Sequence, residues 1–361
     1  MRPARVSIKE VATEAGVSLA MVSRVVNNSG YVQAEKRSRI QAVIKKLGYR
    51  PDAVARSLVS SSSRTIGLCV PYLNSLFIAD LMSGVEAEAD KYGYDVFISH
   101  TRENPDSERD AIARLMDRRV DGIIVVPVNS GQNQFKKIMK AVPTVFLLRQ
   151  PVGVDRNLIL ADDYKGSRRA FSLLLDNGHR EIGIVGGPEG LSTIRERRRA
   201  VDDLLREHNL EADARLVVEA PLDYRQSYEA VKSLLLRKKP PTAIYTMHNW
   251  ATQALVHLFY EFRLDLPKDL SVAAYESYEE WNDISPIRFA SNIFPTIRIG
   301  AAAVKRLHSL ISGKKLYMDE NLEIDSAFFS MNSVAELHAP APRKKRRGDG
   351  SAASSVEKAT S

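Results

Sequence analysis

Cysteine is almost absent from this chain of 361 residues: Cys69 stands alone, so no internal disulfide can form. Its place in the apolar run Thr-Ile-Gly-Leu-Cys-Val reads as a buried core thiol. No run of about eighteen apolar residues occurs, which argues against a membrane span. The opening stretch MRPARVSIKEVATEAG has no apolar segment of the kind a secretory signal needs. A reducing cytoplasmic setting without membrane contact is therefore expected. Catalytic patterns are missing as well. There is no G-x-S-x-G, no P-loop, no H-E-x-x-H and no Cys/His cluster. The seven histidines are scattered. No catalytic residue, metal site or cofactor is expected, and no enzyme activity. Gly186-Gly187-Pro188-Glu189-Gly190 lacks dinucleotide-fingerprint spacing and reads as a loop.

What is present is positive charge at the ends. Residues 1–60 hold eleven Lys/Arg against four Asp/Glu, and residues 335–361 hold six against three. The whole chain carries +8, so the middle is slightly acidic. A basic head on a near-neutral body points to a polyanion bound at one end, and nucleic acid is the usual one.

The head also carries strong helical patterns. Ser7-Ile8-Lys9-Glu10 has capping-box spacing, a hydroxyl followed three residues on by a carboxylate. Ile8, Val11, Ala12 and Ala15 recur at helical spacing. Gly16 then sits where a helix end needs a residue tolerant of positive φ. Ser18 is a second N-cap, and a new helix follows with Met21 or Val22, Val25 and Val26 inward. A third helix runs from about Ala34 to Leu47, with Ile40, Val43, Ile44 and Leu47 inward and Gly48 as its cap. Two short helices joined at a glycine form a helix-turn-helix. In that motif the start of the second helix reaches base edges in a major groove. Leu19 and Ala20 suit methyl groups and shape, and Arg24 suits a guanine edge or a phosphate. Ser7, Ser18 and Ser23, with the helix N-terminal amides, suit phosphates. Met21, Asn27 and Tyr31 complete the candidate DNA-binding set. The plain alternative is a three-helix scaffold with a solvated face.

The middle reads as α/β. TIGLCV, DVFISH, GIIVVP and PTVFLL are apolar runs suited to buried parallel strands, with helical patterns over 78–92 and 107–118 between them. After NLILADD the pattern restarts with IGIVGG, LVVEA, TAIYT and LSVAAY. Two βαβ sets predict two lobes with a ligand cleft at the strand C-terminal ends.

Several segments then stand together in order: VSIKEVATEAGVSLAMVSRVVN, LGYRPDAVARSLVS, GHREIGIVGGPEGLSTIRER, PPTAIYTMHN, LPKDLSVAAYE and FPTIRIG. With these the chain, over about residues 6–335, resembles the LacI/GalR (lactose-repressor) family of bacterial transcription regulators. The resemblance implies an N-terminal all-α helix-turn-helix headpiece, residues 1–50, followed by a hinge helix and linker, 51–63. It implies a two-lobed periplasmic-binding-protein-like core of parallel sheets over 64–335. Lobe 1 covers about 64–161 and 293–324, and lobe 2 about 162–292 and 325–335. It also implies a homodimer on a pseudo-palindromic, double-stranded operator in the cytoplasm, associated with the nucleoid. In the hinge, Ala55 and Leu58 fall on DNA-contacting positions, Leu58 on the leucine that wedges into the minor groove and kinks the duplex. The serines at 60–63 suit a flexible linker, and His179 falls in a recurring structural turn.

The effector positions depart from the family pattern. Leu148-Arg149 replaces the usual Asp-Arg, and His248-Asn249 replaces Asn-Asp before Trp250. Glu276 replaces an aspartate and Phe294 a glutamine. Asn74, Phe77 and Arg197 match the ligand-facing pattern. Arg197 is thereby expected to lack its acidic companion, which favours an effector that is anionic or partly apolar, such as a phosphorylated sugar, a sugar acid or a base-bearing ligand, over a neutral sugar. The alternatives are a degenerate cleft with no small effector, and a sugar-binding receptor, which would instead show a signal peptide and no headpiece. The tail 336–361 is rich in Pro, Ala, Ser and charge and is expected to be disordered. Its RKKRR run reads as a solvated segment or a nonspecific phosphate-binding arm.

Overall fold

The computed structural model describes residues 6–27, 29–49, 62–128, 134–276, 287–313 and 321–337. The hinge positions Ala55 and Leu58 and the basic tail lie outside these residues. Among those described, no helix is long and apolar enough to cross a membrane.

The headpiece consists of α1 (Ile8–Ala15), α2 (Leu19–Val26) and α3 (Ala34–Leu47). The capping box forms as its spacing requires. The Ser7 N–H donates to Glu10 Oε2 at 2.6 Å, and the Glu10 N–H donates to Ser7 Oγ at 3.3 Å. These bonds hold the Glu10 carboxyl below its ordinary range. Gly16 ends α1 at φ +64°, in the left-handed region where a side chain would be strained. Val11, Ala12, Ala15, Val22, Val25, Val32, Ile40 and Val43 close a small core. Met21 and Val26 pack against its edge half-buried, so Val22 is the inward residue of the Met21/Val22 pair.

The chain divides into two units, Met1–Ala161 with Pro295–Ile324, and Asp162–Phe294 with Asp325–Ser361. The chain passes between these units at 161/162, 294/295 and 324/325.

In the first unit, β1 (Thr65–Val70), α4 (Leu76–Tyr92), β2 (Asp95–His100), α5 (Pro105–Asp117), β3 (Gly122–Val125), α6 (Gln134–Ala141), β4 (Thr144–Leu147) and β5 (Leu158–Ala161) follow in order. The chain later returns as α11 (Thr296–Ser312) and β11 (Asn321–Ile324). The sheet order is β11-β5-β4-β3-β1-β2, all parallel. The strands β1, β3 and β4 are buried throughout, and Cys69 in β1 has its thiol pushed up to about 12, chiefly by burial. The expectation of a buried DVFISH strand fails. Among the described residues β2 is the sheet edge, with Phe97 42% and Ile98 50% exposed, because only one of its sides pairs with another described strand. Where α11 crosses α4, Gly84 and Gly300 face each other's backbones. A Cβ on Gly84 would collide with the Ile297 carbonyl, and one on Gly300 with the Leu81 carbonyl. Only glycine permits this approach.

The second unit contains α7 (Asp163–Asp176), β6 (Ile182–Gly186), α8 (Ser192–Glu207), β7 (Val217–Glu219), α9 (Tyr224–Leu235), β8 (Ala243–Thr246), α10 (Asn249–Phe262), β9 (Ser271–Glu276), β10 (Ala290–Ile293) and β12 (Ala327–Phe329). Its order is β12-β10-β9-β8-β6-β7, parallel except for β12 on β10. The order reverses around β6. The loops after β6 and β8 diverge there, which is where open α/β sheets receive ligands.

Candidate DNA-binding and effector sites

In the headpiece, the reading face of α2 is free. With Val22 and Val25 buried, Leu19 is 45% exposed, and Ala20, Arg24 and Asn27 are exposed beside it. Tyr31, past the helix, is 85% exposed. Several polar candidates are engaged locally. Ser18 Oγ accepts from the Met21 N–H at 3.3 Å as the N-cap, and half-buried Ser23 accepts from Asn27 Nδ2 at 3.2 Å. The Ser7 hydroxyl donates to Glu10 Oε2 at 2.9 Å. A partner the sequence did not reveal is Arg39 on α3. Its Nη2 donates to the Gly16 carbonyl at 3.2 Å, tying the turn to the third helix. A face of small, apolar and cationic groups at the start of a helix can meet base edges and phosphates.

In the second unit, Arg197 projects from α8 into a buried cluster at the strand ends. The expectation that it lacks an acidic companion is overturned. Its Nε donates to Asp163 Oδ1 at 2.8 Å, and its Nη1 donates to the Met247 carbonyl. The guanidinium lies 3.5 Å from the centre of the Tyr275 ring, and Tyr275 stacks on Phe294 at 5.3 Å between centroids. Burial works against its charge, but Asp163, Tyr275 and Glu276 outweigh that and hold Arg197 above its ordinary value. Burial, resisted by Arg197, raises the Asp163 carboxyl. Sequence reasoning missed Asp163 because Asp162-Asp163 reads only as a helix start. Asp162 does cap α7, leaving Asp163 at the first helical position to reach a side chain 34 residues away.

Asn249 and Trp250 open α10 and are buried, and the Asn249 N–H donates to Glu276 Oε1 at 3.2 Å. The helix start owes its position to His248. Its Nδ1 accepts from the Ala251 N–H at 3.3 Å, and its Nε2 bonds the Gly186 carbonyl at 3.0 Å. Nε2 is therefore the protonated nitrogen, and burial pushes the ring's pKa down to about 4. His248 performs the capping for which asparagine is suited, which explains why the departure from the family pattern leaves the helix intact. Arg197, Asn249, Trp250, Glu276 and Phe294 thus belong to one unit and one set of strand ends.

In the first unit, Asn74 is exposed and Phe77 half-buried at the start of α4. Arg149, 6% exposed, is clamped from within. Nη1 and Nη2 donate to the two oxygens of Glu103 at 2.9 and 2.7 Å, and Nη1 also donates to the Pro127 carbonyl at 3.0 Å. Glu103 is set up by a left-handed backbone at Arg102 and Glu103, φ +57° and +50°. Leu148 beside it lies at φ +64°, a conformation an asparagine or aspartate tolerates better. His179 also takes a structural place, with Nδ1 on Thr242 Oγ1 at 2.9 Å and Nε2 on the Ala335 carbonyl at 3.1 Å.

Comparison with known proteins joins the two halves of this description. Residues 7–52 match the family model of bacterial regulatory proteins of the lacI family. Residues 63–307 match that of periplasmic binding proteins and the sugar binding domain of the LacI family. The HTH-type transcriptional repressor PurR of Histophilus somni is 30% identical over 315 residues, covering 85% of this chain and 93% of that protein. Catabolite control protein A of Priestia megaterium is 30% identical over 304 residues, covering 84% and 91%. The solved Lac repressor dimer bound to operator and an anti-inducer superposes with a TM-score of 0.79 at 23% identity, over 92% of this chain and all of that one. A free reading helix, a doubly wound core with buried polar strand ends, and matches spanning both make this chain a member of the LacI family, a DNA-binding transcriptional regulator and not an enzyme.

Proposed function

We propose that this protein is a repressor that binds a pseudo-palindromic operator as a homodimer in the cytoplasm, on the nucleoid, and that a small metabolite held by the second unit sets its affinity for DNA. The observation that carries the first part is the uncovered face of α2: Leu19, Ala20 and Arg24 stand outward while Val22 and Val25 anchor the helix. Arg24 is assigned to a base edge, with Asn27 and Tyr31 at the groove rim. Ser7 and Ser18 act by shaping the helix starts whose amides meet phosphates. Ala55 and Leu58 are assigned to the minor groove on the family pattern. The solved relative on its operator supports the dimeric reading.

Mapping bound genomic sites tests this, followed by titration of one site with wild type and Arg24→Ala. The variant is expected to lose about 1–3 kcal/mol on the specific site and less on random DNA. Affinity should fall steeply with salt as phosphate counterions are released. An equal loss on both DNAs would reduce Arg24 to a phosphate contact. Absence of any preferred site would defeat the reading.

Arg197 is balanced by Asp163, and Glu276 adds a further carboxylate. Such a cluster suits a ligand that both donates and accepts hydrogen bonds, with an apolar face toward Trp250 and Phe294, better than it suits an anion. The anionic reading rests on one feature, the Arg197 Nη2, which makes no hydrogen bond among the described residues. Asn74 and Phe77 are proposed as ligand-facing residues, and Arg149 as a positioning residue, on the family pattern alone. A thermal-shift series of neutral sugars and nucleobases against sugar acids and sugar phosphates decides between the classes. Arg197→Ala is expected to abolish the response and leave basal operator binding intact.

A further inference from the structure

The ends of the second sheet opposite Arg197 carry a separate concentration of charge. Three connections meet at the N-terminal ends of the adjacent strands β7, β6 and β8. They bring Asp213, Arg215 and Leu216, then Glu181, then Arg237, Lys238 and Lys239 around a cavity of about 360 Å³. Leu216 is buried and forms an apolar lining. Of the two carboxylates, Asp213 is already taken: Arg215 donates Nε and Nη2 to it at 3.0 and 2.6 Å. Arg215, and more weakly Arg237, hold Asp213 below its ordinary range.

Glu181, the other lining carboxylate, forms no ion pair among the described residues, and the remaining cations have no hydrogen-bonded carboxylate of their own. Among the described residues, Arg237, Lys238 and Lys239 form no ion pair. The Arg237 Nε is enclosed by protein and makes no hydrogen bond. A buried donor without an acceptor is disfavoured, and so are three neighbouring like charges. An oxyanion in the cavity would not reach the enclosed Nε, but it would relieve the crowding of like charges, since the outer nitrogens of a guanidinium and flanking ammonium groups match phosphate oxygens. We propose that this basal cavity is a second ligand site, distinct from the Arg197 cluster, and that it takes a free oxyanion of the phosphate or pyrophosphate class.

A rival account uses the same residues. They follow the C-terminus of α9, where cations also complement the helix dipole. The two accounts separate by anion dependence. The full-length protein is melted in pyrophosphate, in phosphate and in chloride at equal ionic strength, and pyrophosphate affinity is measured by calorimetry. Pyrophosphate is expected to raise the melting temperature above the chloride value and phosphate to raise it less. Arg237→Gln and, separately, the exposed Lys239→Gln should weaken pyrophosphate, the first by about tenfold or more, with operator affinity in chloride unchanged. Equal melting in all three salts would overturn the proposal, as would a pyrophosphate effect that both variants retain, which would move binding to the basic headpiece. A variant that melts lower by the same amount in every salt would establish the dipole account instead. A phosphoserine peptide that binds more tightly than pyrophosphate would overturn the assignment to a free anion.

Discussion

The two units carry sheets built to one plan, yet their buried arginines are held differently. In each sheet the first strand of the unit lies between the second and third, and a late strand returns to the far edge. In the first unit, Arg149 is closed off by two oxygens of Glu103 and a backbone carbonyl. In the second, Arg197 is held through Nε and Nη1 and its guanidinium lies 3.5 Å from the centre of the Tyr275 ring. Arg149 is a clamp within its own unit. Arg197 is oriented yet keeps donor capacity for a ligand. One side-chain type is therefore fully enclosed by its carboxylate in one unit and only partly engaged by its carboxylate in the other.

The strongest way to break this comparison is Asp163→Ala. It leaves a guanidinium buried without its counter-ion and is expected to cost about 3–5 kcal/mol, read as a loss in chemical denaturation. It should also abolish the effector response. A variant with full stability would mean that solvent already screens Arg197.

A second test uses pH. His248 titrates near 6.5 when unfolded and near 4 in the fold. Between those values the unfolded chain binds a proton that the folded one refuses, so stability is full above pH 6.5 and declines as pH falls toward 4. The lowered value of His179 acts in the same direction. The His248 part amounts to about 3 kcal/mol. His248→Asn, which keeps a side-chain cap, should flatten that part of the slope. An unchanged slope would remove His248 as its source.

Glu103→Ala sharpens the contrast from the other side. Loss of a bidentate acceptor that is partly reached by solvent should cost about 1.5–3 kcal/mol, while the effector response survives in form. If Glu103→Ala removes the response as fully as Asp163→Ala does, the two arginines are not functionally different. The smallest effect is expected at Leu148, held at φ +64°. Leu148→Asn relieves left-handed strain at the loss of some apolar contact, for a net gain of up to about 1 kcal/mol. A clear loss of melting temperature would show that packing outweighs strain there.

The sequence by itself determined the headpiece, because its signals are local. A capping serine three residues before its partner, a glycine in the left-handed region and apolar residues at helical spacing need no distant contact to act. Buried strands were legible for the same reason, but DVFISH was not. Apolar composition does not say whether a strand has neighbours on both sides, and among the described strands β2 has one. The arginines were visible as residues and invisible as charges. Arg197 and Asp163 are separated by 34 residues and Arg149 and Glu103 by 46, so their pairing depends on how strand ends converge. His248 could be seen to replace an asparagine, but its role as a neutral cap follows only from burial and the Gly186 carbonyl. Tertiary structure decided the electrostatics of the effector site, because Coulomb energy and desolvation depend on distance and burial, and neither is written in the order of residues.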